Sequence, residues 1–229
     1  YLYNKLLLMK QNILNFKFSQ NKDFFISPKN EIAFNMVQKW PDWNSQLIYI
    51  YGPDKCGKTL ISSLWKKKSK AIFLDDIKLN GFKKNNIDIE DIKNQNWIID
   101  DIEYFIKKGY DEKILNLINI ILSVKDSFIL ITSKIPPKFL STQIADLLSR
   151  LSSSLVIEVF QPDNELLSRI IEKYLNERSI SINKKNLDYI ILRIERSYEK
   201  ALEIAKKIDR QSLESHAKIN YKFLKKLID

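Results

Sequence analysis

The sequence supplies only four glycines, one cysteine and one histidine in 229 residues, and no apolar run reaches the roughly 18 residues needed to cross a bilayer. The lone cysteine, Cys56, excludes an internal disulfide, no membrane partner is expected, and the chain reads as cytoplasmic. Cys56 itself is expected to act as a small spacer, not a redox group. The opening YLYNKLLLMKQN has a short leucine cluster but no small-residue cleavage site, so no secretory signal is expected, and Met9 offers an alternative start. His216 stands apart from any motif and reads as a surface residue in a turn.

With glycine so scarce, its placement is informative. Two of the four lie in one octapeptide, Gly52-Pro53-Asp54-Lys55-Cys56-Gly57-Lys58-Thr59, which fits the G-x-x-x-x-G-K-[ST] phosphate loop without a mismatch. An apolar run, Leu47 to Tyr51, precedes it as a buried strand, and apolar residues at helical spacing follow from Leu60. The chemistry needs this pattern. Several backbone N–H groups must converge on phosphate oxygens, so the chain wraps tightly where glycine permits it, and the following helix adds its dipole. Lys58 is expected to reach the β and γ phosphates of ATP or ADP, and the Thr59 hydroxyl to sit on Mg²⁺.

Further apolar runs at Ala71 to Leu74, Trp97 to Ile99, Phe128 to Ile131 and Leu155 to Val159 read as strands alternating with helices. This predicts a five-stranded parallel sheet with helices on both faces, with ligands bound at the carboxyl ends of the strands. The third strand ends in Asp100 and Asp101. Asp100 is placed to hold Mg²⁺ and Asp101 to orient the attacking water. The fourth ends in Thr132 and Ser133, which can hydrogen-bond the γ phosphate or that water. A short helix is expected over Asp88 to Asn94. After Pro162 the sequence contains no glycine and reads as helix only, over Asn164 to Arg178, Lys184 to Ile194, Ser197 to Ser212 and Ile219 to Leu227. The division expected is an arm over 1–22, an α/β core over 23–162 and a helical lid over 163–229.

Net charge is +10, which fits either solvated lysine faces or a nucleic-acid surface. Phe24, Phe25, Trp40 and Trp43 flank an amphipathic helix expected over Asn30 to Lys39, and read as packing residues. In the arm, Gln11, Leu14 and Phe16 form Q-x-x-L-x-F, a spacing suited to docking an extended peptide in a surface groove.

The segments WIIDDIEYF, ITSKIPP and LLSRLSSSLVIEVFQPD, in that order, resemble the bacterial replication initiator DnaA and its AAA+ relatives. DFFISPKNEIAF, KWPDW, ADLLSRL and RIERSYEKALEIAKKIDRQSL are similar to the DnaA-homologous regulatory inactivators of the Hda type, particularly those of alphaproteobacteria. That resemblance implies an arginine finger at Arg150, acting on a neighbouring protomer's nucleotide, and a nucleotide-contacting arginine in cis at Arg196. It also implies that Gln11, Leu14 and Phe16 bind the DNA polymerase III sliding clamp. DnaA becomes the client, with ADP supporting the active form. The chain reaches Asp229 soon after the lid, with no helix-turn-helix for origin DNA, so an inactivator is expected before an initiator. Homo-oligomers and DNA contact, the latter mainly through the clamp, fit the same reading. Lys134 departs from it, because DnaA usually carries an acidic residue there, and weak intrinsic hydrolysis is expected. Two other readings stay open: a DnaA-like recruiter or helicase loader, and an autonomous ATPase.

Overall fold

The computed structural model describes residues 24–81, 92–215 and 219–228. Gln11, Leu14, Phe16 and His216 lie outside these, as does most of the helix expected over Asp88 to Asn94.

In chain order the elements are α1 (Glu31–Lys39), β1 (Leu47–Tyr51), α2 (Lys58–Ser69), β2 (Ile72–Phe73), α3 (Asp76–Gly81), β3 (Trp97–Ile99), α4 (Ile102–Lys107), α5 (Asp111–Ser123), β4 (Ile129–Ser133), α6 (Ala145–Ser152) and β5 (Leu155–Glu158). The helices α7 (Asn164–Asn176), α8 (Lys184–Ile191), α9 (Tyr198–Ser215) and α10 (Tyr221–Ile228) follow. The sheet runs β2-β3-β4-β1-β5 with every pair parallel. The phosphate-loop strand β1 therefore lies between β4 and β5, and β3 borders β4. This order gathers the carboxyl ends of β1, β3 and β4, where the polar residues of all three stand.

Alternation along β1 divides the core. Leu47 and Tyr49 face α4, α5 and α6, while Ile48 and Ile50 face α1 and α2. Both faces are covered, which is why β1 and β4 read as continuous apolar runs and not as apolar–polar alternations. The flanking aromatics pack as expected: Trp43 stacks on Trp65 at 4.9 Å, Phe24 on Phe34 at 5.2 Å, and Trp40 meets Phe128 edge-on.

Two short helices go beyond the sequence reading. With six residues each, α3 and α4 are too short to show a 3.6-residue period. The Asp75 carboxylate accepts from the Lys78 N–H at 2.8 Å to start α3, and Asp101 in a left-handed conformation (φ 60°) turns the chain from β3 into α4. β2 is shorter than expected, since this edge strand pairs only with β3.

Beyond Pro162 the helices enclose an apolar cluster of their own around Leu167, Ile170, Ile190, Ala205 and Leu224. Asp163 caps α7, accepting from the Leu166 N–H at 2.8 Å, and Asn183 caps α8 in the same way. Phe25 and Leu60 pack against this cluster from the sheet side.

Candidate functional site

The loop after β1 is held closed by close packing. A Cβ on Gly52 would lie 2.0 Å from the Val159 carbonyl oxygen, so only glycine lets the loop pass the end of β5. Gly57 sits at φ 106°, in a region that side chains disfavour, and delivers the chain into α2. Lys58 begins that helix, and its ammonium donates to the Gly52 and Pro53 carbonyls at 2.7 and 2.8 Å. Cys56 faces inward, 1% exposed, and burial pushes its thiol up despite the Lys58 charge, so it holds little thiolate.

Across the cavity, Asp100 is the meeting point of three elements. One of its oxygens accepts from the Thr59 hydroxyl of α2 at 2.8 Å, and the other from the Thr132 hydroxyl of β4 at 2.7 Å. Thr132 in turn accepts from the Asp101 N–H at 2.9 Å. Ser133 donates its hydroxyl to Glu103 at 2.7 Å, and the Lys134 N–H donates to the same Glu103 oxygen at 2.6 Å. Asp101 and Glu103 each bury one carboxyl oxygen that has no hydrogen-bond donor. Burial, the hydrogen bond to Glu103 and its charge raise the Asp101 carboxyl above the usual range. Burial alone would raise Glu103 as well, but hydrogen bonds from Ser133, the Lys134 N–H and Asp101 bring it below its ordinary value.

Together these residues line a cavity of about 470 Å³. Its walls include the expected Asp54, Lys55, Gly57, Lys58, Thr59, Leu60, Asp100, Asp101, Thr132 and Ser133. Gly52, Pro53 and Cys56 form the loop behind it. Arg196 is exposed in the turn before α9 and is not part of the lining, whereas Tyr198 and Glu199, two and three residues on, are. Arg150 is exposed near the end of α6, outside the cavity. Glu103, Lys134, Tyr198 and Glu199 were not picked out as site residues by the sequence. Glu103 was findable, since it follows the Asp100-Asp101 pair within one turn of a strand-to-helix junction. Tyr198 was not, because its role depends on a long-range bond: its hydroxyl donates to the Phe25 carbonyl at 2.5 Å and accepts from the Asn30 amide at 2.8 Å.

The donor set fits a phosphate chain with a hard divalent ion. The backbone cradle requires glycine at both bends, Lys58 supplies a cation, and Thr59 and Asp100 present oxygen donors at one point. Among the described residues no group of three or more histidine, cysteine or carboxylate side chains could hold a metal by itself. An ion at Thr59 and Asp100 would therefore draw its remaining ligands from phosphate and water, as Mg²⁺ does in phosphoryl-transfer sites.

Comparison with known proteins places this geometry in context. Domain III of the Thermotoga maritima replication initiation protein DnaA superposes with a TM-score of 0.71 at 20% identity, over 91% of this chain and 96% of that domain. The chain has the DnaA domain III fold. A replication initiator DnaA bound to AMPPCP and single-stranded DNA gives a TM-score of 0.69 at 19% identity, covering 85% of this chain and 67% of that one. A Thermotoga maritima RuvB variant superposes with a TM-score of 0.64 at 16% identity, over 87% of this chain and 67% of its own. In sequence, an uncharacterized Haemophilus influenzae protein is 23% identical over 215 residues, 90% of this chain and 91% of that protein. Nautilia profundicola DnaA is 23% identical over 214 residues, and the match spans 47% of its length. No family model matches the chain. The DnaA likeness thus extends from the sheet order to the lid, while no helix among the described residues is long and apolar enough to span a membrane.

Proposed function

We propose that this chain is an adenine-nucleotide-binding AAA+ regulator of chromosome replication that docks on the sliding clamp and stimulates hydrolysis of DnaA-bound ATP. One observation carries the reading: a complete phosphate-loop cavity sits on a DnaA domain III fold, while Arg150 is exposed outside that cavity. An arginine so placed is free to complete a neighbouring molecule's site, where a finger of this kind speeds phosphoryl transfer by about 10³ to 10⁵.

The roles follow from the contacts. Gly52 to Gly57 present backbone N–H groups to the phosphates, Lys58 neutralises their charge, and Thr59 with Asp100 holds Mg²⁺, which when bound offsets the charge of the β and γ oxygens. Asp101 orients water, and Thr132 fixes Asp101 through its N–H. The chain's own nucleotide serves mainly to set the angle between sheet and lid, with Arg196 approaching it from the lid side. Gln11, Leu14 and Phe16 take the clamp.

The test measures hydrolysis of DnaA-bound ATP with clamp and primed DNA, with and without this protein, then with Arg150→Ala. Stimulation that Arg150→Ala reduces by about 10³-fold or more is the expected result. No stimulation in the complete mixture rejects the reading. A second reading, a recruiter that holds DNA without inactivating DnaA, draws on the +10 charge and on the DnaA relative bound to single-stranded DNA. Salt-sensitive DNA binding with no effect on DnaA would favour it.

A further inference from the structure

In the lid, α8 and α10 meet along a row of aromatic and cationic side chains. The Asn186 amide donates to the Ile219 carbonyl at 3.1 Å and draws the start of α10 beside α8. There the Tyr189 and Tyr221 rings cross at 70°, their centroids 4.9 Å apart. Arg193, one turn beyond Tyr189, lays its guanidinium 3.8 Å from the centre of the same ring and donates to the Tyr189 carbonyl at 3.3 Å. Leu192 stands beside it, 76% exposed, and Tyr221 is 55% exposed. Exposed apolar groups set side by side, unlike single ones, mark an interaction surface.

Charge sets the kind of partner. Elsewhere in the lid cations meet carboxylates: Arg169 with Glu165, Arg178 with Asp209 and Lys200 with Glu203. On this face they do not. Lys185 and Arg193 flank Tyr189 at four-residue spacing, and Lys225 follows Tyr221 at the same spacing, so each shares the row of its ring. None of the three pairs with a carboxylate among the described residues. α10 adds Lys222 and Lys226 and carries no acidic residue. Asp188, two residues past Asn186, lies about 200° round α8 from the side that meets α10. The face is therefore positive without internal compensation.

A rigid apolar anchor ringed by unpaired cations fits an acidic protein segment better than a nucleic-acid strand. Bases bind by stacking on open ring faces. Tyr189 already has Arg193 over its ring and crosses Tyr221, and Leu192 offers nothing to a phosphodiester. Tyrosine and arginine held in place in advance are what protein interfaces use as central anchors, with charge at the rim steering the encounter. We propose that the α8–α10 face of the lid is a docking surface for an acidic segment of a partner protein. Apolar side chains of that segment set on Leu192 and Tyr221, and its carboxylates meet Lys185, Arg193 and Lys225. The surface shares no residue with the walls of the phosphate-loop cavity, and it does not rest on the nucleotide reading.

The experiment titrates the full chain, by fluorescence anisotropy, into a labelled peptide of Leu-Glu-Glu repeats, the same peptide with serine for leucine, and an oligothymidylate of equal charge. The leucine peptide should bind at least about tenfold more tightly than either of the others. Leu192→Asp and Arg193→Glu should each weaken it by about tenfold or more. Both side chains are exposed, so neither substitution disturbs the lid core. Lys206→Glu, the same charge change in the groove between α7 and α9, should weaken it by less than about threefold. The proposal is overturned if the leucine peptide does not bind, if the serine peptide binds as tightly, or if Leu192→Asp or Arg193→Glu leaves binding unchanged. Tighter binding of the oligothymidylate, lost in Arg193→Glu, would make the face a nucleic-acid surface and equally reject it.

Discussion

Gly52 shows how much one atom can decide. A Cβ there would lie 2.0 Å from the Val159 oxygen, which belongs to backbone that cannot rotate away. Gly52→Ala should therefore destabilise the fold by about 1–3 kcal/mol through overpacking. Gly109, at φ 75° with open space around it, bears only the left-handed backbone cost of about 1–2 kcal/mol. Urea denaturation of both variants separates the two causes, because only Gly52→Ala should also weaken nucleotide binding. The Asp101 and Glu103 carboxyls make a residue-scale prediction in pH. Asp101 is raised by burial and by Glu103, so its folded value lies above its unfolded one. The folded state then keeps that proton longer, and this group's contribution to stability falls as pH rises from the ordinary carboxylate range to the folded value. Asp101→Asn removes an uncomfortable charge. At pH 7 it should be at least as stable as the wild type. A variant that melts earlier at that pH contradicts the raised Asp101 carboxyl.

Among the elements, α9 is the one whose placement matters most to the site. Its first residue, Tyr198, is buried against Phe24 and ties Phe25 and Asn30 to the lid, and an added Cβ on Gly57 of the phosphate loop would meet its ring at 3.5 Å. Tyr198→Phe keeps the ring and removes two hydrogen bonds at about 0.5–1.5 kcal/mol each, while the Asn30 amide still donates to the Phe25 carbonyl at 2.9 Å. By comparison, Asp163→Ala removes only the cap of α7 and should cost about 1 kcal/mol. Equal losses for the two, measured by denaturant midpoints, would show that the Tyr198 anchor is no more than a helix-end contact. The elements also mark what could be read in advance. β1, β3, β4 and their polar tips were legible, since buried parallel strands announce themselves as apolar runs and the loop after β1 has a fixed chemistry. The six-residue helices α3 and α4 were not, because they are shorter than two turns, and neither was the Lys134–Asp54 pair, which joins residues 80 apart in the chain. Sequence spacing cannot express a contact of that kind. The DnaA likeness identified the turn before α9 through Arg196, yet the side chains that reach the cavity from there are Tyr198 and Glu199.

At the scale of the molecule, two apolar clusters cover the sheet and a third fills the lid. The junction includes Leu60, the Phe24–Tyr198 ring stack, the Tyr198 hydroxyl with Phe25 and Asn30, and an exposed ion pair in which Lys55 of the phosphate loop meets Glu195 at 2.8 Å. Both cavity walls meet there. A nucleotide seated between the phosphate loop and Tyr198 would bridge the two bodies, so its binding energy should appear as stability of both. At a hundred times its dissociation constant, ADP with Mg²⁺ should add about 2.7 kcal/mol. For a chain of this length that corresponds to roughly 5–11 °C in the melting midpoint. Calorimetry should then show one transition moving as a whole, and Lys58→Met, which removes the phosphate-binding cation, should abolish the shift. Were the lid to melt in a separate transition that ADP leaves in place, the nucleotide would be a ligand of the sheet alone, and its proposed role in setting the angle between sheet and lid would have no physical basis.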